Sequence, residues 1–266
     1  MDAGEKRTGT IPKCSVKVEG VKQQELIAVT AMRIEGEADR IRLDRHSARV
    51  LTNLVRDGKL DWQVPEDGKY GLFFFWMHGT GQTAGPSVST SYTVNYLDED
   101  GVRALVEYWD RNVFTTGVEK FIPENGRGMM YMDSLELTTF GKAGQLWGYN
   151  VLKEFSRRRG YDLTPYLPFL VKEDRGGNDW YRYESSDQDW VVRLRNDFYQ
   201  NITELYMENM LKPLQDWLHT KRMSLRAEIS YGLPFEISLP GKYVDGIETE
   251  SLEFCSQIDS YRNLAG

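Results

Sequence analysis

Cysteine and histidine are scarce in this sequence. Its 266 residues include two cysteines, Cys14 and Cys255, and three histidines, His46, His78 and His219. Two thiols allow one disulfide or none, and they are too few for a structural zinc site. The histidines show no metal-ligand spacing, and a hydrogen-bonded structural role is the expected one for His78.

Long apolar runs and clustered basic residues are also missing. No stretch is long enough to cross a bilayer, and the opening MDAGEKRTGTIPKC lacks the apolar core of a signal peptide, so we expect no membrane partner. The 33 Lys and Arg residues are scattered through a chain of net charge −7, which argues against a nucleic-acid surface.

Two common catalytic signatures are absent as well. The chain has no Gly-x-Ser-x-Gly elbow, which counts against a serine hydrolase. The stretch GTGQTAG at 79–85 lacks the Gly-Lys-Ser/Thr of a phosphate-binding loop and does not fit the dinucleotide fingerprint. We therefore interpret this stretch as a loop at the rim of the fold.

Aromatic residues, in contrast, are plentiful. The 15 Tyr, 11 Phe and 7 Trp residues make up 12% of the chain. Flat rings with a polar edge suit carbohydrate binding, but they also fill ordinary cores. Composition alone favours core packing.

The first third of the chain predicts antiparallel strands. Runs 25–34 and 59–64 are rich in β-branched and aromatic residues, and turn signals such as Asp57-Gly58 stand between such runs. The run YGLFFFWMH at 70–78 is almost continuously apolar, which is typical of a parallel strand buried on both faces. We therefore expect a change of architecture near residue 67.

Beyond that point, strand and helix patterns alternate, which favours βα units with parallel strands. Pro213 is expected to kink the last predicted helix. The predicted helices are 98–114, 143–159 and 191–222, and the predicted strands are 128–137, 225–232 and 246–254.

Acids collect at the ends of these predicted strands, where parallel α/β folds carry their reactive groups. Alternation along GMMYMDSLEL places Glu136 with apolar Met130 and Met132, so we expect it to be desolvated and to act as a proton donor. Glu228 shares a face with Arg226, whose charge would keep it ionised. The alternative is that each acid merely forms a salt bridge at the rim.

Four stretches carry a resemblance to a known family. They are YMDSLEL (131–137), EFSRRRGYDLTPYLPFL (154–170), RNDFYQNITELYMENMLKPLQDWLHTKRMSLRAEISYG (195–232) and ESLEFCSQIDSYRNLAG (250–266). Together they resemble the catalytic domain of the α-L-rhamnosidases of glycoside hydrolase family 106. The similarity runs from about residue 60 to the end, which is more specific than any single short motif.

The strand patterns and the resemblance together predict an α/β fold: an antiparallel β segment or insertion at 1–66, then, as the resemblance implies, a partial (β/α)8 TIM-barrel-like catalytic domain at 67–266. The barrel is partial because only roughly four βα-type strands are recognisable where a complete ring needs eight. Family members are much longer, so the remaining domains of a longer parent chain are possible partners. The resemblance also implies secretion.

The resemblance further implies inverting cleavage of terminal α-L-rhamnose from polysaccharides or glycosides, with a bound calcium ion. Glu136 corresponds to the general acid, and Glu228 is our choice for the base. Glu250 and Glu253 are contenders for the base or the metal site, and Asp133 is a further oxygen ligand.

Asp133 and four further side chains are candidates for contacts with the sugar. His78 could contact a hydroxyl group, and Trp147 and Tyr231, like Trp76, could stack on the ring, although core packing is the ordinary role of a single aromatic residue. Two other functions remain open: a catalytically inactive carbohydrate-binding or structural fragment, and a glycosidase of another specificity.

Overall fold

The computed structural model describes residues 1–14, 21, 24–37, 40–84, 89–125, 128–139, 144–175, 178–229, 235–249 and 255–265. The chain divides into two compact units. Unit 1 comprises residues 1–91, 138–147 and 152–197, and unit 2 comprises residues 92–137, 148–151 and 198–266. Among the described residues, no helix is both long and apolar enough to cross a membrane.

The strands, in chain order, are β1 (Lys6–Thr10), β2 (Gln24–Glu37), β3 (Ile41–Val50), β4 (Val55–Arg56), β5 (Lys59–Gln63), β6 (Tyr70–His78), β7 (Gly128–Met132), β8 (Lys172–Arg175), β9 (Asn178–Tyr181), β10 (Tyr183–Glu184), β11 (Met223–Glu228) and β12 (Gly246–Glu248). They form four sheets, with strand orders β1-β5-β4, β10-β3-β2-β6, β12-β11-β7 and β8-β9.

The α-helices are α1 (Glu99–Asn112), α2 (Thr116–Glu119), α3 (Val151–Arg159), α4 (Gln188–Tyr206), α5 (Lys212–Thr220) and α6 (Ile258–Ala265). A π-helical turn at Met207–Leu211 joins α4 to α5, and 3-10 turns lie at Thr52–Leu54, Thr164–Leu170 and Leu239–Tyr243. The described part is thus a mixed α/β structure.

Unit 1 is built mainly on antiparallel strand pairs whose inner faces share one core, and only the short β10 runs parallel to its neighbour β3 among the described pairs. Strand β2 pairs antiparallel with both β3 and β6, and β1 pairs antiparallel with β5. The alternating burial of β5, with Leu60 and Trp62 inside and their neighbours exposed, is the pattern of a strand with one solvated face. Val29, Ala31 and Tyr70 lie in the same buried cluster.

The predicted direction of the strand at 70–78 is wrong. The segment is a strand, but it runs antiparallel to β2 and not within a parallel sheet. Leu72, Phe74 and Trp76 pack on the core cluster, whereas Phe73 packs edge-on against Tyr183, with ring centroids 5.1 Å apart. The continuous apolar run therefore reflects apolar contacts on both faces, which an antiparallel strand can also have.

Unit 2 contains a parallel sheet. Strand β11 lies between β7 and β12 and runs parallel to both. Asp245 immediately precedes β12 and accepts a hydrogen bond from the backbone N–H of Leu225 (2.7 Å), while Nε2 of His219 on α5 lies 2.9 Å from its Oδ1. These contacts hold the sheet to the helix behind it. Three parallel strands do not close into a barrel within the described residues.

Helix α1 confirms the prediction for 98–114. Glu99 and Asp100 occupy its first turn, where acids complement the helix dipole. Gly101 is required at this position because a Cβ there would lie 1.8 Å from the backbone oxygen of Asn95. The predicted helix at 143–159, in contrast, begins only at Val151, because the backbone N–H of Tyr149 donates to the carboxylate of Asp98 (2.9 Å).

The predicted domain boundary between residues 66 and 67 stays a prediction. The two compact units do not follow that boundary, because each of them combines segments from different parts of the chain. Cys14 and Cys255 are both free thiols.

Candidate active site

The carboxyl ends of the parallel strands bring three acids to one level. Glu228 closes β11 and pairs in register with Glu248, the last residue of β12. Ala227 pairs with Met132, the last residue of β7, and Asp133 follows directly. The carboxyl ends of parallel strands lie at the same edge of a sheet. Asp133, Glu228 and Glu248 therefore form one group at that edge.

Tyr131 connects two of these acids. Its hydroxyl group lies 3.2 Å from Oε1 of Glu228 and 3.2 Å from Oδ1 of Asp133. A phenol has one proton to donate, so it hydrogen-bonds to one carboxylate at a time. The two acids therefore compete for a single donor.

Glu228 is the buried member of the group, with 6% of its surface exposed. A buried carboxylate is tolerated only when polar neighbours replace its lost hydration, and the Tyr131 hydroxyl is one such neighbour. Asp133 is exposed, as is about half of Tyr131. The group therefore joins a fixed, buried carboxylate to an edge that solvent and ligands can reach.

Arg226 supplies positive charge at this edge. Its Nε forms an ion pair with Oε2 of Glu248, and its guanidinium carbon lies 5.7 Å from the centroid of the Tyr131 ring. The expected arrangement had Arg226 next to Glu228 on one face, but the ion pair of Arg226 is with Glu248. Arg226 lies opposite Gly246 on β12. Because Gly246 has no side chain, nothing at that position stands between the guanidinium of Arg226 and the carboxylate of Glu248.

The environment also fixes the protonation state of Tyr131. Partial burial and then the negative charge of Glu228 raise the pKa of Tyr131 above its ordinary value. The hydroxyl is therefore protonated at neutral pH and can act only as a donor toward the acids. This keeps the negative charge of the group on its carboxylates.

Glu136 differs from its prediction. Strand β7 ends at Met132, and the next residues leave the sheet: the backbone N–H of Ser134 donates to Oδ1 of Asp133 (2.9 Å), and Glu136 has φ +37°. Alternation along a strand therefore does not apply at 136. The side chain of Glu136 is exposed, so the expected desolvation by Met130 and Met132 is wrong.

A comparison with protein families identifies the chain. The family model described as alpha-L-rhamnosidase, glycoside hydrolase family 106, matches residues 24–233, which is most of the sequence. The chain belongs to glycoside hydrolase family 106. Tyr131, Asp133, Glu136 and Glu228 lie inside the matched range.

A solved structure shares the fold of this family 106 chain. The rhamnosidase from Novosphingobium sp. PP1Y aligns over 76% of the chain with a TM-score of 0.55 and 20% sequence identity. The alignment covers 19% of that protein, so the chain spans less than a fifth of its length. None of the curated proteins compared with the chain matches it.

Several predicted site residues of the family 106 chain lie outside the described residues: Tyr231, Glu250 and Glu253. In the part that the structure describes, no three His, Cys, Asp or Glu side chains gather closely enough to hold a metal ion. The calcium site stays a prediction, because Glu250 and Glu253 lie outside that part, and no chemical step is assigned to the ion.

His78 and Trp147 belong to unit 1, whereas Asp133, Glu136 and Glu228 belong to unit 2. His78 ends β6, and its Nδ1 lies 2.8 Å from the carbonyl oxygen of Gly79. Trp147 lines a pocket together with Trp76. Their contact with a sugar stays a prediction.

Sequence reasoning missed Tyr131 and Glu248 as members of the acidic group. The hydrogen bond from Tyr131 to Glu228 depends on the register between β7 and β11, which neither segment reveals by itself. Glu248 could have been found from the sequence, because it is an acid on a predicted strand, as Glu136 and Glu228 are.

Proposed function

We propose that this chain is part of the catalytic domain of a rhamnosidase that removes terminal α-L-rhamnose with inversion of configuration. Membership of glycoside hydrolase family 106 supports the substrate class. Glu228 is the general base that activates water, and Glu136 is the general acid that protonates the leaving oxygen. Such a pair works at a separation of roughly 6.5–9.5 Å, which leaves room for one water molecule.

One observation carries this proposal: the end of the parallel sheet holds a buried glutamate beside a second acid, linked by a tyrosine hydroxyl. Glu228 and Asp133 both lie 3.2 Å from the Tyr131 hydroxyl. A general base needs a fixed, ionised oxygen next to an accessible edge. Glu228 has the fixed position, and the exposed Asp133 marks the accessible edge.

The conformation of Glu136 supports its role as the acid. A positive φ is unusual for a glutamate, and such strained residues cluster at functional sites. Its exposed side chain is accessible to a glycosidic oxygen. In this proposal, the bound substrate supplies the desolvation that the free chain lacks.

The remaining parts of the proposal concern the larger protein. The three parallel strands are part of a (β/α)8 barrel completed by further chain, in line with the small share of the Novosphingobium protein that the alignment covers. A calcium site that uses Glu250 or Glu253, and secretion of the protein, are predictions that rest on the resemblance alone.

The decisive experiment is hydrolysis of an aryl α-L-rhamnoside, on the 266-residue chain and on any longer product of the same gene. Glu136→Gln and Glu228→Gln should each lower kcat at least about 100-fold, since each removes one proton-transfer group. Glu124→Gln, at an exposed turn residue, is the matched control and should keep full activity. Proton NMR of the first product should show β-L-rhamnose.

Unchanged turnover in the Glu136→Gln variant would refute the acid assignment, and an α-configured first product would refute inversion. The second candidate function is a carbohydrate-binding fragment without activity. The limited share of the Novosphingobium protein covered by the alignment favours it. Calorimetric binding of L-rhamnose by the 266-residue chain, with no hydrolysis by that chain or a longer product, would select this function.

A further inference from the structure

Unit 1 contains a pocket of about 280 Å³ that the proposed reaction does not use. Four aromatic side chains line it, from Phe74, Phe75, Trp76 and Trp147. Aliphatic side chains complete the wall, among them Leu167 and Leu170, which are buried. The volume lies near the lower end of the range for small-molecule sites, which suits a ligand of one ring.

The shape of the pocket depends on an irregularity in β2. Leu26 pairs with Trp76 and Ala28 pairs with Phe75, so Ile27 is the extra residue of a β-bulge. A bulge redirects a side chain out of the regular alternation, and here Ile27 contributes to the pocket wall. The pocket is thus built into the strand pairing of the sheet.

The polarity of the described lining residues restricts the ligand. None of them carries a charge, so a charged ligand would lose its hydration without compensation. The amide group of Gln145 and the indole N–H groups of the two tryptophans are the polar side-chain groups in that set. The amide nitrogen of Gln145 already donates to the carbonyl oxygen of Leu170 (2.7 Å).

A monosaccharide fits this lining poorly, because it buries several hydroxyl groups and each needs a partner. An aromatic ring needs few partners and gains from edge-to-face and stacked contacts with other rings. We propose that the pocket formed by Trp76, Trp147, Phe74 and Phe75 binds a small, uncharged aromatic molecule with a single ring, of the phenol type. The phenolic hydroxyl can donate to the side-chain oxygen of Gln145.

The test is an NMR titration of the 266-residue chain with phenol, with cyclohexanol, benzoate and L-rhamnose as comparison ligands. So small a ligand is expected to bind in the millimolar range. Phenol should shift the indole signals of Trp76 and Trp147 and bind more tightly than the other three. This measurement needs no hydrolysis, so its outcome is separate from that of the rhamnosidase proposal.

Two variants locate the site. Trp147→Ala removes an aromatic wall and should weaken phenol binding at least about five-fold, and Val171→Phe fills the pocket and should weaken it at least about ten-fold. The matched controls are Trp180→Ala and Val192→Phe, at positions 41% and 61% exposed and outside the pocket lining. Both controls should bind phenol within about two-fold of the unmodified chain.

Several results would overturn the proposal: no phenol binding by the unmodified chain, signal shifts confined to residues outside the pocket, or affinity unchanged in both variants. Cyclohexanol or L-rhamnose binding as tightly as phenol would equally overturn it, because the site would then not select an aromatic ring. Circular dichroism checks that each variant is folded. If one variant does not fold, the other variant and the signals of the unmodified chain still decide the question.

Discussion

Each compact unit contains a tyrosine that hydrogen-bonds to a carboxylate, and the two pairs differ in their surroundings. In unit 1, the Tyr161 hydroxyl donates to Oδ2 of Asp197 at 2.8 Å, and the Tyr161 ring packs edge-on against buried Phe155. In unit 2, Tyr131 is half exposed, and its hydroxyl lies at a longer 3.2 Å from each of two acids.

The difference shows how a tyrosine hydroxyl and a carboxylate can either stabilise the fold or form part of a reactive site. A short bond to one acid, with the ring against a core side chain, joins two segments and leaves nothing for a ligand to replace. A longer contact shared between two acids at an open edge leaves one carboxylate without that donor at any moment. The second arrangement is the one that a substrate or water molecule can enter.

The largest expected effect on stability comes from removing the side chain that packs against the Tyr161–Asp197 pair of unit 1. Phe155→Ala deletes a fully buried ring that packs on Tyr161, and it should lower the free energy of unfolding by about 3–5 kcal/mol. Urea unfolding measures the change. Phe121→Ala, at a position 77% exposed, is the control and should change stability by less than about 0.5 kcal/mol. Equal losses in both variants would contradict the burial of Phe155.

The next effect separates the two pairs directly. Tyr161→Phe removes a hydrogen bond to a charged group and should lower the free energy of unfolding by about 1–3 kcal/mol without changing rhamnoside hydrolysis. Tyr149→Phe, at a position 60% exposed, should be neutral in the same urea experiment. A loss of kcat in the folded Tyr161→Phe variant would assign chemistry to the unit 1 pair and remove the contrast.

Tyr131→Phe should show the opposite balance. The ring is half exposed, so the loss of stability should stay below about 1 kcal/mol. If Glu228 is the base, losing the hydroxyl that positions its Oε1 should lower kcat about ten-fold with little change in KM. Tyr108→Phe, at a position 58% exposed on α1, should leave both constants unchanged. An unaltered kcat would show that Tyr131 does not position Glu228.

The smallest effect is electrostatic. Burial first, and then the charge of Glu228, raises the pKa of Tyr131, whereas burial and Asp197 raise the pKa of Tyr161. Glu228→Gln should therefore lower the pKa of Tyr131 toward the ordinary value of about 10 and leave the pKa of Tyr161 unchanged. Ultraviolet titration, with Tyr131→Phe and Tyr161→Phe to assign the signals, measures both. A shifted Tyr161 or a constant Tyr131 would contradict this cause.

The same shifts set a pH dependence of stability. Both tyrosines have folded-state pKa values above their unfolded ones, so each hydroxyl contributes fully from neutral pH up to about pH 10 and loses its contribution as pH rises through the folded value. The free energy of unfolding should accordingly not change with pH near neutrality on account of either tyrosine. Loss of the Tyr161 contribution between about pH 7 and pH 8, judged against the Tyr161→Phe variant, would contradict the sign.

Sequence patterns located several elements but not their partners, and they missed others such as the ten-residue strand β3. The positions of β2, β5, β6 and α1 follow from residue type and spacing within the segment itself. The direction of β6 does not, since its apolar residues contact groups on both faces whichever way its neighbour runs. The late start of α3 depends on the contact between Tyr149 and Asp98, which are distant in sequence.

The candidate site shows the same limit. Glu228 was predictable as an acid on a strand, but the predicted strand ran to residue 232, whereas the observed strand ends at Glu228. The link from Tyr131 to Glu228 was not predictable, because it needs the register of two strands separated by more than ninety residues. Glu136 was misplaced because an alternating pattern cannot reveal where the backbone turns to a positive φ.

The π-helical turn at Met207–Leu211 keeps the buried residues of α4 and α5 on the same side of the longest helical segment. Buried residues recur every four positions there: Phe198, Ile202, Tyr206, Met210, Leu214 and Leu218. Against a turn of 3.6 residues, that spacing drifts by about 40° at each step. The wide turn, which ends at Leu211, absorbs one residue and so removes about 100° of the drift. In an uninterrupted α-helix, Leu214 and Leu218 would rotate away from the side that the earlier residues bury.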